Sequence, residues 1–484
     1  MSHLIGIDLG TTNIKALVVN TLGDVVFKTS VSVETLHSEK GLAEQSPDDL
    51  WLLVQNVLKT VAEELPDKPI AVAFSAAMHS FIAVDKDGKP LTNALIWADN
   101  RAEKQAEILK KSDIGQAIFN ATGTPIHPLS PLLKLMWLRD NEPIVFKEAD
   151  WFCGIKEFIF FKLFGKKIID MSIASATGLM ETDTCDWHKP SLELAKIKEN
   201  KLSKIVSPYH IEHLKTNPFL PEWENVSFVI GASDGTLSSL AAGAMTENLT
   251  TITIGTSGAV RRISKRGPLS INAQKPSKLF TYRLDEAHFV VGGATNNGGI
   301  ALEWLSKKVL QNEVKDLMES AKTVEIGSEG LVFIPFILGE RALIWDANVR
   351  GSFINVGFEH TQAHFVRATL EGILFNLQHI HSAIERELSS SSAIFADGGF
   401  VQSPFWVQML ADITQKPVHT RVGEDGGSLG AIMMAMKAVG LCIDLLETTK
   451  ILTPTTIVLP SENALDYQFF YEKYLNLIKS ILRP

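Results

Sequence analysis

Two apolar runs that end in small polar residues are the most informative pattern along the chain. The first is Leu4-Ile5-Gly6-Ile7, followed by Asp8-Leu9-Gly10-Thr11-Thr12; the second is Thr251-Ile252-Thr253-Ile254, followed by Gly255-Thr256-Ser257-Gly258. A short apolar run bounded by turn residues predicts a buried strand. The small residues after it let backbone N–H groups face an anion, and the hydroxyls add donors. Two such turns predict a duplicated fold that holds one polyphosphate from two sides.

Strands alternate with helical segments in both halves, which favours a mainly parallel sheet in each. Ser46-Pro47-Asp48-Asp49 starts a helix, and residues 70–75 form a strand. The strand at 228–233 leads into a helix at Asp234. The second half repeats this scheme with a glycine-rich turn at 292–299, a strand at 393–397, a small-residue helix from Gly426 and a helical tail from Asp466. We place the domain boundary near 245, which gives domains 1–245 and 246–484.

Composition and charge narrow the class of protein. A chain of 484 residues exceeds what one hydrophobic core usually supports. Its net charge of −9 argues against a nucleic-acid partner. The three cysteines, Cys153, Cys185 and Cys442, show no metal or disulfide spacing, and the run 331–338 is too short for a membrane span. We expect a cytoplasmic protein without a membrane partner; its oligomeric state is left open, with a homodimer as one option.

Two aspartates at strand ends could carry the chemistry. Asp8 lies in the first turn, where a carboxylate beside phosphates needs a cation between them; Mg²⁺ that keeps its waters is the natural one. Asp234 lies where a helix begins, and it could accept a proton from a substrate hydroxyl that attacks a phosphoryl group. The structural alternatives are a turn-capping aspartate at Asp8 and a helix N-cap at Asp234.

Two further segments combine polar and bulky side chains suited to a sugar. Met78-His79 follows the strand at 70–75, and Trp97-Ala98-Asp99-Asn100-Arg101 could stack on a sugar face, bind hydroxyls and hold an anion. The alternatives are a hydrogen-bonded core histidine and a solvated helix start with a packed tryptophan. The P-loop pattern does not occur in the sequence, so a P-loop enzyme is excluded.

With these residues, the chain resembles the FGGY carbohydrate kinases, within the superfamily of sugar kinases, chaperone ATPases and actin. The segment Pro131-Leu132-Leu133-Lys134-Leu135-Met136-Trp137-Leu138 resembles the first family signature, and 351–371 the second; Leu129 and Asn355 depart from them. The resemblance implies an α/β protein with two actin-like (ribonuclease H-like) ATPase domains and a cleft between them. It also implies an enzyme that uses ATP and Mg²⁺.

The resemblance further implies roles for particular residues. Asp234 matches the catalytic base, and Asp8 the acidic residue near the γ-phosphate, which would bind Mg²⁺ through water. Met78 and His79 match the pair that binds the sugar, and Trp97, Asp99 and Arg101 are expected to bind it too because of their own side-chain chemistry. Residues expected to bind the nucleotide are Thr11, Thr12, Lys15, Gly255, Thr256, Gly299, Gly398, Gly399 and Ser403.

Within the family, Ala77-Met78-His79-Ser80 and the segment 97–101 are most similar to bacterial gluconate kinases. This similarity implies transfer of phosphate to D-gluconate to give 6-phospho-D-gluconate, with His79, Arg101 and His127 as candidates to hold the substrate carboxylate. Three alternatives stay open: a xylulose or other pentulose kinase, an actin-like nucleotide-switch protein, and a sugar-sensing protein that transfers no phosphate.

Overall fold

A computed structural model describes residues 2–38, 41–215, 220–245, 248–267, 278–421, 425–452 and 455–481. The chain forms two compact units. The first contains Met1–Met245, Lys265–Val290 and Glu424–Leu452, and the second contains Thr246–Ser264, Val291–Gly423 and Thr453–Pro484. These units differ from two continuous domains because the described parts of 265–290 and 424–452 belong to the first unit. The division into domains 1–245 and 246–484 remains a prediction.

The strands are short and are numbered in chain order. They are β1 (His3–Leu9), β2 (Asn13–Asn20), β3 (Val25–Ser32), β4 (Leu36–His37), β5 (Ala43–Gln45), β6 (Ala71–Ala76), β7 (Ile82–Val84), β8 (Ala94–Leu95), β9 (Trp151–Cys153), β10 (Ile168–Asp170), β11 (Lys204–Val206), β12 (Ile211–His213), β13 (Ser227–Ser233), β14 (Leu249–Ile254), β15 (Gly258–Ser264), β16 (Phe280–Arg283), β17 (Phe289–Thr295), β18 (Val332–Ile334), β19 (Ser352–Ile354), β20 (Ala393–Asp397), β21 (Val418–Thr420) and β22 (Thr456–Val458).

The α-helices are numbered in the same way. They are α1 (Pro47–Glu64), α2 (Glu103–Lys110), α3 (Asp113–Thr122), α4 (Pro131–Asn141), α5 (Pro143–Glu148), α6 (Ile155–Phe164), α7 (Met171–Ser175), α8 (Lys189–Ala195), α9 (Asp234–Ala241), α10 (Gly299–Trp304), α11 (Val314–Ala321), α12 (Gln362–Glu387), α13 (Pro404–Thr414), α14 (Gly426–Ala438) and α15 (Ala464–Ile481). None of the helices in the described ranges is long and apolar enough to cross a membrane.

The main sheet of the first unit has the strand order β12-β13-β6-β1-β2-β3. Strands β1 and β2 form an antiparallel hairpin, whereas β1, β6 and β13 are parallel to one another. The apolar side chains of β1, such as Ile5 and Ile7, are fully buried, as the hydrophobic run predicts. The hairpin joins its strands through Gly10, Thr11 and Thr12.

The second unit repeats this arrangement, with neighbouring strands in the order β17-β15-β14-β20-β21-β22. Strands β14 and β15 form the hairpin, and β14, β20 and β21 are parallel. The hairpin joins its strands through Gly255, Thr256 and Ser257. Each unit therefore has a hairpin with a three-residue turn beside two parallel strands, and this confirms the predicted duplication.

Helix α14 covers the main sheet of the first unit, although it comes from the last part of the chain. A Cβ on Gly6 of β1 would lie 1.9 Å from the Ser428 carbonyl oxygen, and one on Gly430 would lie 2.3 Å from that of Leu237 in α9. Only glycine allows backbones to approach this closely. Gly6 of β1 and Gly430 of α14 are therefore needed for the packing of α14 against β1 and α9.

Most predicted elements are confirmed. The Ser46 side chain accepts a hydrogen bond from Asp49 N at 3.2 Å and caps α1. The junction at Asp234 is β13 followed by α9, and the tail is α15. One prediction is wrong: Gly292 and Gly293 lie within β17 rather than in a turn. Strand pairing outweighs the turn preference of these glycines, because strand formation depends strongly on neighbouring strands.

Candidate active site

The carboxyl ends of three parallel strands meet at one edge of the first sheet. Ala76 of β6 lies between Leu9 of β1 and Ser233 of β13 in the strand register. The chain continues from these positions into the first turn, the Met78-His79 segment and Asp234. The strand register thus brings three of the predicted site segments to the same edge, where open α/β sheets commonly bind ligands.

Asp8 lies in an electrostatically unfavourable position for a carboxylate. Its Oδ1 accepts a hydrogen bond from Ser75 Oγ at 2.5 Å. Burial, together with the charges of Asp425 and Asp234, raises the pKa of Asp8 to about 7. The side chain keeps partial access to solvent at the strand end. A bound cation would offset these unfavourable interactions, so the position fits Mg²⁺ held through few carboxylates and several waters. Among the described residues, no group of three His, Cys, Asp or Glu side chains is placed to hold a metal ion directly.

The rest of the first turn contacts two other parts of the unit. Gln45 Nε2 donates to the Thr11 carbonyl at 2.6 Å, and Val33 N donates to that of Thr12 at 2.9 Å. Lys15 on β2 forms an ion pair with Asp425, the N-cap residue of α14, at 2.9 Å. Asp425 was missed by the sequence analysis, although its charge acts on both Lys15 and Asp8.

The Met78-His79 segment is held in an uncommon backbone conformation. His79 has φ = 68°, which few residues other than glycine adopt. Its Nδ1 lies 2.8 Å from the Ala176 carbonyl oxygen, and its ring packs edge-on against Tyr282. Such conformations cluster at functional sites because the surrounding structure must enforce them. Met78 is partly exposed beside it.

The buried Lys134 enforces this conformation and was not predicted as part of the site. Its Nζ, on the fully buried side chain, donates to the carbonyls of His79 and Ile96 at 2.6 Å each and to that of Leu95 at 3.3 Å. Burial lowers the pKa of Lys134 to about 7, but three carbonyl acceptors match the three N–H groups of the charged ammonium. Lys134 thus joins the segment at 79 to the segment at 97–101.

The segment 97–101 approaches the first turn. Trp97 Nε1 donates to Thr11 Oγ1 at 3.4 Å. Asp99 is fully buried and accepts from Ala43 N at 3.0 Å. Arg101 forms ion pairs with Asp99 at 2.8 Å and Glu44 at 2.5 Å, and its guanidinium lies 4.4 Å from the ring centre of Trp137. Asp99 and Arg101 therefore hold this loop together, and sugar binding by their side chains remains a prediction.

In the second unit, three glycine-containing loops meet at the second turn. Gly299 N donates to the Gly255 carbonyl at 2.7 Å, and Gly298 N donates to that of Thr256 at 3.2 Å. Gly398 has φ = 103°, and a Cβ there would lie 2.3 Å from the Ile254 carbonyl oxygen. The predicted nucleotide residues Gly255, Thr256, Gly299 and Gly398 are thus neighbours within this unit.

A buried carboxylate supports these loops. Glu340 accepts hydrogen bonds from Thr295 Oγ1 at 2.7 Å, Asn376 Nδ2 at 2.9 Å and Arg341 N at 2.7 Å. Burial raises its pKa to about 7. Ser403 caps α13 by accepting from Trp406 N at 3.3 Å, while Gly399 has no atom within 4 Å of where a Cβ would lie. The space at Gly399 would admit a ligand; the Ser403 hydroxyl already has a structural partner.

The fold and site agree with comparisons to known proteins. Residues 3–241 match the N-terminal domain, and residues 250–439 the C-terminal domain, of the FGGY family of carbohydrate kinases. The chain therefore belongs to the FGGY family of carbohydrate kinases. It is an enzyme that phosphorylates a small-molecule sugar, which excludes a non-catalytic switch or sensor as its class.

Individual relatives bear on the substrate. The chain is 36% identical to a gluconokinase of Bacillus licheniformis, covering 99% of this chain and 96% of the relative. Its structure is similar to a gluconate kinase from Lactobacillus acidophilus with a TM-score of 0.94, at 33% identity over 99% of this chain and 98% of the other. A ligand-bound xylulose kinase from the same organism has the same TM-score and coverage, at 32% identity. Overall structural similarity thus does not separate these two substrates.

Proposed function

We propose that this enzyme transfers the γ-phosphoryl group of ATP to D-gluconate and forms 6-phospho-D-gluconate. Asp234 acts as the general base, which accepts the proton of the attacking hydroxyl. Phosphoryl transfer needs mainly positioning and charge stabilisation from the protein, with one group to receive the proton. The single observation that carries the proposal is the common edge of β1, β6 and β13, with Asp8, the Met78-His79 segment and Asp234 at the ends of the strands.

The proposed roles follow from this edge. Thr11, Thr12 and Lys15 bind phosphate oxygens in the first unit, and Asp8 binds Mg²⁺ through water. When bound, Mg²⁺ neutralises charge on the phosphates. In the second unit, Gly255, Thr256 and Gly299 contact the phosphates, and Gly398, Gly399 and Ser403 contact the adenosine. These assignments rest on the family resemblance and on the proximity of the loops within each unit.

The proposed sugar side lies beside the first turn. Met78 and Trp97 are partly exposed, and Trp97 contacts the first turn; we assign both residues, with the buried His79, to the sugar side. The buried Asp99 and its partner Arg101 hold the loop that carries Trp97. Identity to the curated gluconokinase supports gluconate, whereas the similar xylulose kinase structure makes D-xylulose the second candidate.

A substrate panel tests the acceptor. We expect D-gluconate to give the highest kcat/KM among D-gluconate, D-xylulose, D-ribulose and glycerol, measured by ADP release at one ATP and Mg²⁺ concentration. NMR of the product should locate the phosphate on the terminal oxygen. A higher kcat/KM for D-xylulose would replace gluconate with the second candidate and leave the kinase mechanism intact.

Replacement of the base tests the mechanism. Asp234→Asn should lower kcat by about 10²–10⁴-fold, the usual contribution of a general base, while ATP still binds. The matched control is Asp113→Asn, because Asp113 is an exposed aspartate in the first turn of α3. Near-normal turnover by Asp234→Asn would contradict the assignment of the base.

A further inference from the structure

Two buried side chains hold opposite ends of the peptide group between Ala232 and Ser233, one residue before Asp234. Lys156 Nζ donates to the Ala232 carbonyl at 2.9 Å, and Ser233 N donates to Ser172 Oγ at 3.2 Å. The Ala232 carbonyl and the Ser233 N–H belong to one planar peptide unit. With both of its polar groups bound from outside the strand, this unit cannot rotate without losing a buried hydrogen bond.

The two side chains are themselves connected. Lys156, in α6, forms an ion pair with Asp170 at 2.6 Å, and these side chains are 3% and 0% exposed. Asp170 Oδ1 accepts from Ile173 N at 2.9 Å and so caps α7, the helix that contains Ser172. The ion pair therefore fixes α6 and α7 relative to each other, and each helix holds one end of the same peptide group.

A chain of hydroxyl groups extends this support to the start of α9. Ser172 Oγ donates to Ser233 Oγ at 3.1 Å, Ser233 Oγ donates to Thr236 Oγ1 at 3.0 Å, and Thr236 Oγ1 donates to the Ser233 carbonyl at 3.0 Å. All three side chains are at most 1% exposed. Each hydroxyl proton in this arrangement has an acceptor, so the group is fully satisfied and rigid.

The strand needs such support because its pairing is interrupted just before the site. The register of β13 against β6 shifts between Val229 and Ala232. Gly231, within the shift, has φ = 67°, and a Cβ there would lie 1.9 Å from the Phe74 carbonyl oxygen. A bulge of this kind redirects the residues that follow it but weakens the ladder that would otherwise fix them.

We propose that Lys156 and Ser172 are positioning residues for Asp234, and that they fix the direction in which its carboxylate leaves the bulged strand. This inference rests on the proposed function, because it takes Asp234 as the base. Burial lowers the pKa of the Lys156 ammonium, and the charge of Asp170 and, after it, that of Asp234 act against this lowering.

The test uses Ser172→Ala and the double variant Lys156→Met/Asp170→Asn of the full chain. Asp170 is changed together with Lys156 because Lys156→Met alone would leave the buried Asp170 carboxylate unpaired. Each variant should lower kcat by about 10-fold to 100-fold, because small misplacement of a catalytic group is costly. KM for ATP and for the sugar acid should stay within about 2-fold, since neither side chain is placed in the binding surfaces. The combined triple variant should lose less than the product of the two effects, because both act on one peptide group.

The matched control removes a different buried ion pair. Arg367 and Glu371 in α12 pair at 2.8 Å, with side chains 5% and 3% exposed. Arg367→Met/Glu371→Gln should lower the melting temperature without a selective loss of kcat per folded molecule. If the lysine variant does not fold, Ser172→Ala decides the question, because it removes a single oxygen.

The outcomes separate this inference from the proposed function. Unchanged kcat in folded Ser172→Ala would overturn the inference, and so would a rise in KM at constant kcat or independent, multiplicative effects in the triple variant. Asp234→Asn is measured alongside. If it keeps its activity, the proposed base is wrong; if it is inactive while the positioning variants retain full kcat, only the positioning role is wrong.

Discussion

The two hairpin turns occupy equivalent places in their sheets, but the acidic residue beside each turn lies on a different strand. In the first unit, Asp8 on the hairpin strand pairs with Ser75 on the parallel strand β6. In the second unit, the equivalent pair is Thr253 on the hairpin strand and Asp397 on the parallel strand β20. Hydroxyl and carboxylate have thus exchanged strands between the two repeats, while the length of the turn has stayed the same.

The exchange shows how one duplicated element can serve two purposes. Asp8 faces the charges of Asp234 and Asp425, an arrangement that suits a cation. Asp397 instead accepts from Gly398 N at 2.7 Å, so its carboxylate orders the loop that follows β20. We interpret the first turn as the one where the charge of the phosphates is balanced. We interpret the second turn as a loop that surrounds the phosphates with backbone atoms.

The largest expected effect comes from exchanging Asp8 and Ser75, which gives the first unit a carboxylate on the parallel strand, as in the second unit. Asp8→Ser/Ser75→Asp keeps the net charge and the two residue types but moves the carboxylate to the parallel strand. We expect kcat to fall by about 10³-fold, because a carboxylate on β6 would no longer lie where the proposed Mg²⁺ is held beside the phosphates. Steady-state turnover with D-gluconate, ATP and Mg²⁺ measures this loss.

Asp397→Asn is the companion variant for this comparison. It should mainly raise KM for ATP and change kcat less than the exchanged pair does. Equal loss of kcat in both variants would mean that the two carboxylates have the same role in turnover, and the distinction between the turns would be wrong.

The next effect is a pH dependence that only the first turn should show. The folded-state pKa of Asp8 is about 7, against an ordinary value of 3.8. Between these values the folded protein holds a proton that the unfolded chain has released, so the stability contributed by Asp8 falls as pH rises through about 7. From pH 5 to pH 8 the loss is at most about 3 kcal/mol, an upper limit because the side chain retains partial solvent access.

Unfolding of the ligand-free enzyme by urea at several pH values checks this dependence. Asp8→Asn should flatten the profile between pH 5 and pH 8, whereas the control Thr253→Val, at the equivalent position of the second turn, should leave it unchanged. An identical slope in wild type and Asp8→Asn would show that Asp8 is ionised throughout this range.

The smallest effect concerns the first glycine of each turn. A Cβ on Gly10 would lie 2.8 Å from the Asn13 carbonyl oxygen, whereas one on Gly255 would meet no atom within 4 Å. Gly10→Ala should therefore lower the free energy of unfolding by about 1–3 kcal/mol. Gly255→Ala should fold with unchanged stability and raise KM for ATP, because the added methyl group meets only the ligand.

Melting temperatures and ATP kinetics of the two variants decide this last point. Equal destabilisation by both alanines would indicate that the second glycine is also required by the fold. Full activity and affinity in Gly255→Ala would remove Gly255 from the nucleotide site.

The sequence predicts the strands, the two turns and the helix that starts at Asp234, because each depends on local patterns of apolar and turn residues. It does not predict the packing of 424–452 on the first sheet or the ion pair between Lys15 and Asp425, since nothing local connects residues so far apart in the chain. The exchange between Asp8 and Asp397 becomes visible only when the strand register is known.

The buried lysines were missed for a different reason. Lysine is almost always exposed, so Lys134 and Lys156 are expected on the surface. A signal was present nonetheless: Lys134 is the one charged residue in the apolar run 132–138, and Lys156 and Glu157 are the two charged residues in the run 155–161. A helix with no polar face offers a lysine no route to water, and such a lysine must find buried partners.

The late position of α14 in the chain has a consequence for biosynthesis. On the ribosome, β1 is among the first elements made, but the helix that packs on its glycine is completed only at residue 438. Until then this part of the first sheet has no native cover, and long-range contacts of this kind form slowly. A nascent chain released before Gly426 would expose apolar strand surface and become a substrate for chaperones or proteases. The first unit therefore cannot complete its fold until most of the second unit has been synthesised.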